Sequence, residues 1–140
     1  MKKVSCILLV EDNHHINYLH QRIIKKLDIA RHVKVVRTGE EAIDYLKKCK
    51  AGTEPEAFPV PGLIFLDINM PRMNGWEFVE ELKKTELAYL SNKTAIIMLT
   101  ASLNPDDKLK AENMPEVAAF VEKPLNYESL SSIVEKWVKE

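Results

Sequence analysis

Four runs of strand length, Val4–Val10 and residues 63–66, 95–99 and 118–121, are almost wholly apolar, and between them the apolar residues recur at helical spacing. Runs of this length bounded by polar or turn residues read as strands, and a strand with no polar alternation reads as one covered on both faces. All four read as interior strands. Residues 32–36, His32-Val33-Lys34-Val35-Val36, mix charge with valine and read as a fifth strand at a sheet edge, where one side meets water. Strands alternating with helices make an α/β fold, and right-handed crossovers restrict it to a few doubly wound topologies.

The intervening helices are legible from their stripes. Ile16, Leu19, Ile23, Ile24 and Leu27 form one buried face, with His14, Asn17, His20, Gln21 and Lys25 turned to solvent. The second helix opens with Thr38-Gly39-Glu40-Glu41, a capping box, and would bury Ala42, Ile43, Leu46 and Cys49. The third follows Asn74-Gly75 and buries Phe78, Val79 and Leu82; the fifth runs from Asn126 with Leu130, Ile133, Val134 and Trp137 on one stripe. Between them, Asn104-Pro105-Asp106-Asp107 starts a fourth helix, with an N-cap, a proline at the first helical position and two acids suited to the dipole. Its large apolar residues are only Leu109 and Met114, so it should be the least firmly held. Residues 51–61, with three of the seven prolines, read as a long surface loop.

Length and charge narrow the function. A chain of 140 residues suits one domain with a substantial core. A formal charge of −1 gives no sign of an obligatory nucleic-acid partner. The Met1-Lys2-Lys3 start is followed by an apolar stretch too short for export or membrane insertion, so a cytoplasmic protein is expected. Cys6 and Cys49 lack metal-site spacing and read as buried or half-buried thiols in a reducing compartment.

The chemistry stands at the strand ends. The first strand ends in Glu11-Asp12, the third in Asp67, the fourth in Thr100 and the fifth is followed by Lys123. In a parallel α/β sheet these ends converge on the edge where ligands bind. Clustered carboxylates raise one another's proton affinity unless a cation sits among them, and a hard divalent ion with oxygen ligands is the natural one. A carboxylate nucleophile, a metal site, a hydroxyl and an ammonium together meet the needs of a phosphoryl group.

With those residues in place the sequence resembles the response-regulator receiver domains of two-component signalling. The matching motifs are Val10-Glu11-Asp12-Asn13, Leu66-Asp67-Ile68-Asn69-Met70-Pro71, Asn74-Gly75, Leu99-Thr100-Ala101 and Glu122-Lys123-Pro124-Leu125. Each is weak alone; five in order, each at its strand end, are specific. The resemblance implies a flavodoxin-like fold with strand order 2-1-3-4-5 and five helices, residues 1–140 forming a single receiver domain with no fused output domain. It makes Asp67 the phosphoacceptor, Asp12 a direct Mg²⁺ ligand, Glu11 a ligand mainly through water, and Asn69 a ligand through its backbone carbonyl. Lys123 would pair with Asp67 and later with the phosphoryl oxygens, Thr100 would close on the phosphoryl group, and Phe120 would turn inward as the switch aromatic. The implied donor is a histidine kinase or a histidine phosphotransfer protein. Self-phosphorylation from a phosphodonor and autodephosphorylation are expected, with no metabolic substrate, and output would pass through protein contacts or an onward phosphorelay. The 51–61 loop is a candidate partner or homodimer surface.

Several residues have blander readings. Asp67 could cap its own turn, Thr100 could be a plain strand residue, and Trp76 and Trp137 are most simply packing residues, Trp76 being placed to report on the Asp67 loop by fluorescence. The four histidines have no acid spaced to complete a metal site and read as solvated helix-face residues. A phosphorylation-independent pseudo-receiver is the alternative binding module, against which the intact acidic set and Lys123 speak. A flavodoxin-like cofactor carrier would need a phosphate loop that Asn13-His14-His15 does not supply. A phosphohydrolase with an aspartyl intermediate would want an acid where Asn69 stands.

Overall fold

The computed structural model describes residues 3–85 and 93–138; Met1 and Lys2, which open the N-terminal reading above, lie outside them. Five strands alternate with five helices: β1 (Val4–Val10), α1 (His14–Leu27), β2 (Ala30–Val36), α2 (Gly39–Ala51), β3 (Leu63–Asp67), α3 (Gly75–Lys84), β4 (Ala95–Thr100), α4 (Pro105–Glu112), β5 (Val117–Glu122) and α5 (Tyr127–Trp137). The strands form one sheet in the order β2-β1-β3-β4-β5, with every neighbouring pair parallel. That order has its switch point between β1 and β3, so their C-terminal ends flank a crevice.

Two apolar clusters cover the two sheet faces. One gathers Leu46, Phe78, Val79 and Leu82 from α2 and α3 over Leu8, Val10, Ile64, Leu66 and Met98; the other gathers Ile23, Ile24, Leu130, Ile133 and Val134 from α1 and α5 over Ile7, Leu9, Phe65 and Ile97. Alternate residues of β1 and β3 therefore serve opposite layers, which explains why residues 6–10 and 63–66 carry no polar side chain, Ser5 and Asp67 standing at the ends of the two buried runs.

The starts of α2 to α5 follow their sequence signals, although on α2 only the Thr38 half of the expected capping box is formed. Helix α1 is capped by Asn13, which its stripe did not show. Thr38 accepts from the Glu41 N–H at 3.0 Å, Asn104 from the Asp106 N–H at 2.9 Å, and Asn13 from the Ile16 N–H at 3.1 Å. Asn74 with Glu77 and Asn126 with Ser129 form reciprocal capping boxes on α3 and α5.

Three expectations are corrected. The run at 118–121 is not interior: β5 is an edge strand, and its residues are half-buried because helices cover its faces while one margin stays unpaired. On α1, Asn17 and His20 are buried while Leu19 is exposed, so hydrophobicity misplaced one stripe member and excluded two. On α4, Leu109 is 59% exposed and the buried contact is made by Ala111, with Met114 packed half-buried beside it.

The 51–61 loop leaves α2 through Gly52, whose φ of 67° is the left-handed conformation that glycine adopts without a Cβ penalty. It then folds back on α2. Phe58 meets the Tyr45 ring edge-on at 5.8 Å, and the Tyr45 hydroxyl donates to the Pro59 carbonyl at 2.6 Å. Cys6 and Cys49 flank that tyrosine, and burial pushes both thiols up, Cys49 to about 11, which leaves them protonated and unreactive at neutral pH. Among the described residues no helix is long and apolar enough to cross a membrane.

Candidate phosphoryl and metal site

Every residue singled out at a strand end lies at the C-terminal edge of the sheet. Glu11 follows β1, where its N–H continues the pairing to the Val36 carbonyl at 3.0 Å. Its Oε2 accepts from the Asn13 N–H at 3.1 Å, and Asn17 of α1 donates to its carbonyl at 2.8 Å. Asp12, half-buried beside it, has its carbonyl held by the Arg37 guanidinium at 3.0 Å. The loop is thus fixed through backbone groups while the carboxylates stay directed to the edge.

Asp67 closes β3. The Asn69 N–H donates to its Oδ1 at 3.2 Å, the turn that the blander reading anticipated. Behind that turn, Gly75 sends its N–H to the Ile68 carbonyl at 2.9 Å, and a Cβ there would lie 3.0 Å from the Ile68 Cα and 3.2 Å from the Asp67 carbonyl. Helix α3 can start this close to the loop only because residue 75 has no side chain. Gly75→Ala should therefore cost about 1–3 kcal/mol of stability through overpacking against backbone, measured by denaturant unfolding.

Carboxylate oxygens of Glu11, Asp12 and Asp67 all lie within 4.8 Å of one another. Glu11 is 4% and Asp67 3% exposed, so water screens their repulsion poorly. Lys123 answers part of it. Its Nζ lies 2.8 Å from Glu11 Oε1 and 3.3 Å from Asp67 Oδ1, bridging the two buried acids rather than pairing with Asp67 alone. The Lys123 N–H donates to the Thr100 carbonyl at 2.8 Å, and its peptide bond to Pro124 is cis.

Titration follows from that arrangement. Burial pushes the Glu11 carboxyl up, the nearby Asp67 charge adds to the effect, and the bonds from Lys123 and Asn13 only partly oppose it. Burial alone would lower the affinity of Lys123 for its proton, but its bond to Glu11 and the charges of Asp67 and Glu11 outweigh that, and the net direction is up. One ammonium against three carboxylates leaves the edge short of positive charge. Hard oxygen donors at this spacing fit a small divalent cation.

Thr100 is buried at the end of β4, its hydroxyl donating to the Ser102 carbonyl at 2.9 Å. Asn69 is exposed beside Asp67, and Phe120 is half-buried against the α2–α3 cluster. Sequence reasoning missed Asn17, His20 and Arg37, which bind loop backbone around the acids. Asn17 and His20 were detectable: with Ile16, Ile23 and Ile24 they complete the helical stripe at i, i+1, i+4, i+7 and i+8.

The sequence profile of the response regulator receiver domain matches residues 7–135. The chain belongs to that family. Among curated relatives, this receiver is 31% identical over 130 residues to the probable methanogenesis regulatory protein FilR2 of Methanothrix harundinacea, covering 93% of this chain and 79% of that one. It is 30% identical over 129 residues to the response regulator Rcp1 of Synechocystis, covering 92% of this chain and 83% of that one. Among solved structures, a two-component response regulator from Cytophaga hutchinsonii superposes with a TM-score of 0.87 at 32% identity, covering 96% of this receiver and 97% of that chain. Rcp1 has been solved in a Mn²⁺-bound form, which superposes with a TM-score of 0.73 at 28% identity over 96% of this receiver and 95% of that chain.

Proposed function

We propose that this receiver, residues 1–140 as one domain, accepts a phosphoryl group on Asp67 from a phosphohistidine of a histidine kinase or phosphotransfer protein in the cytoplasm. The observation that carries the reading is the gathering of three carboxylates within 4.8 Å of one another, with the Lys123 ammonium 3.3 Å from Asp67. An oxygen of Asp67 attacks phosphorus, the bond from phosphorus to the imidazole nitrogen breaks, and the leaving imidazole keeps that electron pair. Water later attacks the aspartyl phosphate and returns the carboxylate and inorganic phosphate.

Mg²⁺ would be held by Asp12, Asp67, the Asn69 carbonyl and, through water, Glu11, and when bound it neutralises charge on the phosphoryl oxygens. Lys123 is already paired with Asp67 and can transfer that pairing to the phosphoryl oxygens. Thr100 must release the Ser102 carbonyl before its hydroxyl can do the same, and Phe120 can then turn inward. That exchange of partners is a population shift that alters the surface read by a downstream protein or an onward relay.

Incubation with Mg²⁺ and acetyl phosphate should give one phosphoryl adduct by intact mass, and excess EDTA should abolish it. No adduct, under conditions where another receiver labels, would favour a phosphorylation-independent pseudo-receiver.

A further inference from the structure

Two polar side chains lie on the buried face of α1, where an apolar stripe would suffice to pack the helix. Asn17 is 6% exposed and His20 is 1% exposed. Being three residues apart, they sit one above the other on the same face. Each binds the backbone of a different loop. Asn17 Nδ2 donates to the Glu11 carbonyl at 2.8 Å, and His20 Nε2 accepts from the Leu125 N–H at 3.0 Å.

Those loops carry the two side chains that meet at 2.8 Å, Glu11 and Lys123, and Leu125 is only two residues beyond the lysine. Lys123 reaches the acids on a long flexible side chain, so its ammonium is placed only as well as its backbone is held. On the β4 side that backbone is held by the bond from the Lys123 N–H to the Thr100 carbonyl. On the α1 side it is held by His20. A buried imidazole is costly to retain without a hydrogen bond, and this one spends its acceptor nitrogen on the lysine's loop. Burial, with the nearby Lys123 charge, favours the neutral ring that this acceptor role needs.

We propose that His20 is a positioning residue for Lys123: by accepting from Leu125 it ties the lysine's loop to the same helix that Asn17 ties to Glu11, and so sets the ammonium against Glu11 and Asp67. Its consequence for phosphoryl transfer rests on the phosphoacceptor reading above; its consequence for Lys123 does not.

The test compares His20→Leu, which removes the acceptor, with His20→Gln, whose amide oxygen can take the place of Nε2. In the unphosphorylated protein the Lys123 side-chain NMR resonance, assigned by its loss in Lys123→Met, should shift or broaden in His20→Leu and stay near its native position in His20→Gln. Labelling by acetyl phosphate in saturating Mg²⁺ should lose between about tenfold and about 100-fold in kcat in His20→Leu. The KM for the donor should hardly change, and His20→Gln should recover most of the rate. In a Lys123→Met background, His20→Leu should add little, because the two changes act on one interaction. If His20→Leu does not fold, His20→Asn, too short to reach Leu125, replaces it. A native Lys123 resonance in the variant without the acceptor, or equal losses in the Gln and Leu variants, overturns the proposal. Wild-type protein that never labels overturns the phosphoacceptor reading instead, and the resonance still decides the role of His20.

Discussion

Asp67→Asn should remove the phosphoryl adduct completely in an intact-mass assay that labels the wild type. The carboxylate is the only nucleophile the proposed transfer uses, and an amide oxygen at the same position carries no charge with which to attack phosphorus. The same change removes one of three mutually repelling acids and leaves Lys123 its 2.8 Å partner, Glu11. The variant should therefore stay folded, with metal-free stability equal to or above that of the wild type by denaturant unfolding and with weaker Mg²⁺ binding. An adduct that persists in a folded Asp67→Asn protein would sink the assignment of the acceptor.

The second large effect is on acid stability. His20 is pushed down from 6.5 to about 4, chiefly by burial and further by the charge of Lys123. Between those values the unfolded chain takes up a proton that the folded chain refuses. Stability should accordingly be unaffected by this group above pH 6.5, fall as pH drops, and level off below about pH 4. The gap corresponds to about 3 kcal/mol at the acid limit. Glu11 works in the opposite sense, because its raised proton affinity makes folding favour the protonated acid as pH falls. The clean measurement is thus the difference between wild type and His20→Gln in metal-free denaturant unfolding at a series of pH values. A difference that is flat from pH 7 to pH 4 would mean that the buried ring titrates normally.

Both predictions arise at places the sequence showed only partly. The alternation of strands and helices, the starts of α2 to α5 and the five chemical positions at strand ends were legible, because apolar runs, capping residues and turn signals are local properties. The position of β5 was not legible from its residues, since an edge strand covered by helices on both faces has nearly the composition of an interior one. Leu109 misled for a related reason. On α4 the buried contact is made by Ala111, and Leu109, two residues earlier and so on the opposite side of the helix, is left 59% exposed. His20 and Asn17 were assigned to solvent because polar side chains usually are, whereas here each has a buried backbone group to satisfy.

By itself, then, the chain determined the α/β layering and which side chains stand where the strands stop, Asp67 foremost, since both follow from short-range patterns of burial and backbone preference. Only the tertiary structure decided which of those side chains meet. Glu11 and Lys123 are 112 residues apart and come within 2.8 Å because parallel register and strand order bring the ends of β1 and β5 across β3 and β4 to one edge. The burial of His20 beneath that lysine's loop is likewise a product of packing α1 against α5. No local pattern encodes such a contact, because each partner's position is fixed by its own layer and the contact exists only when the layers close.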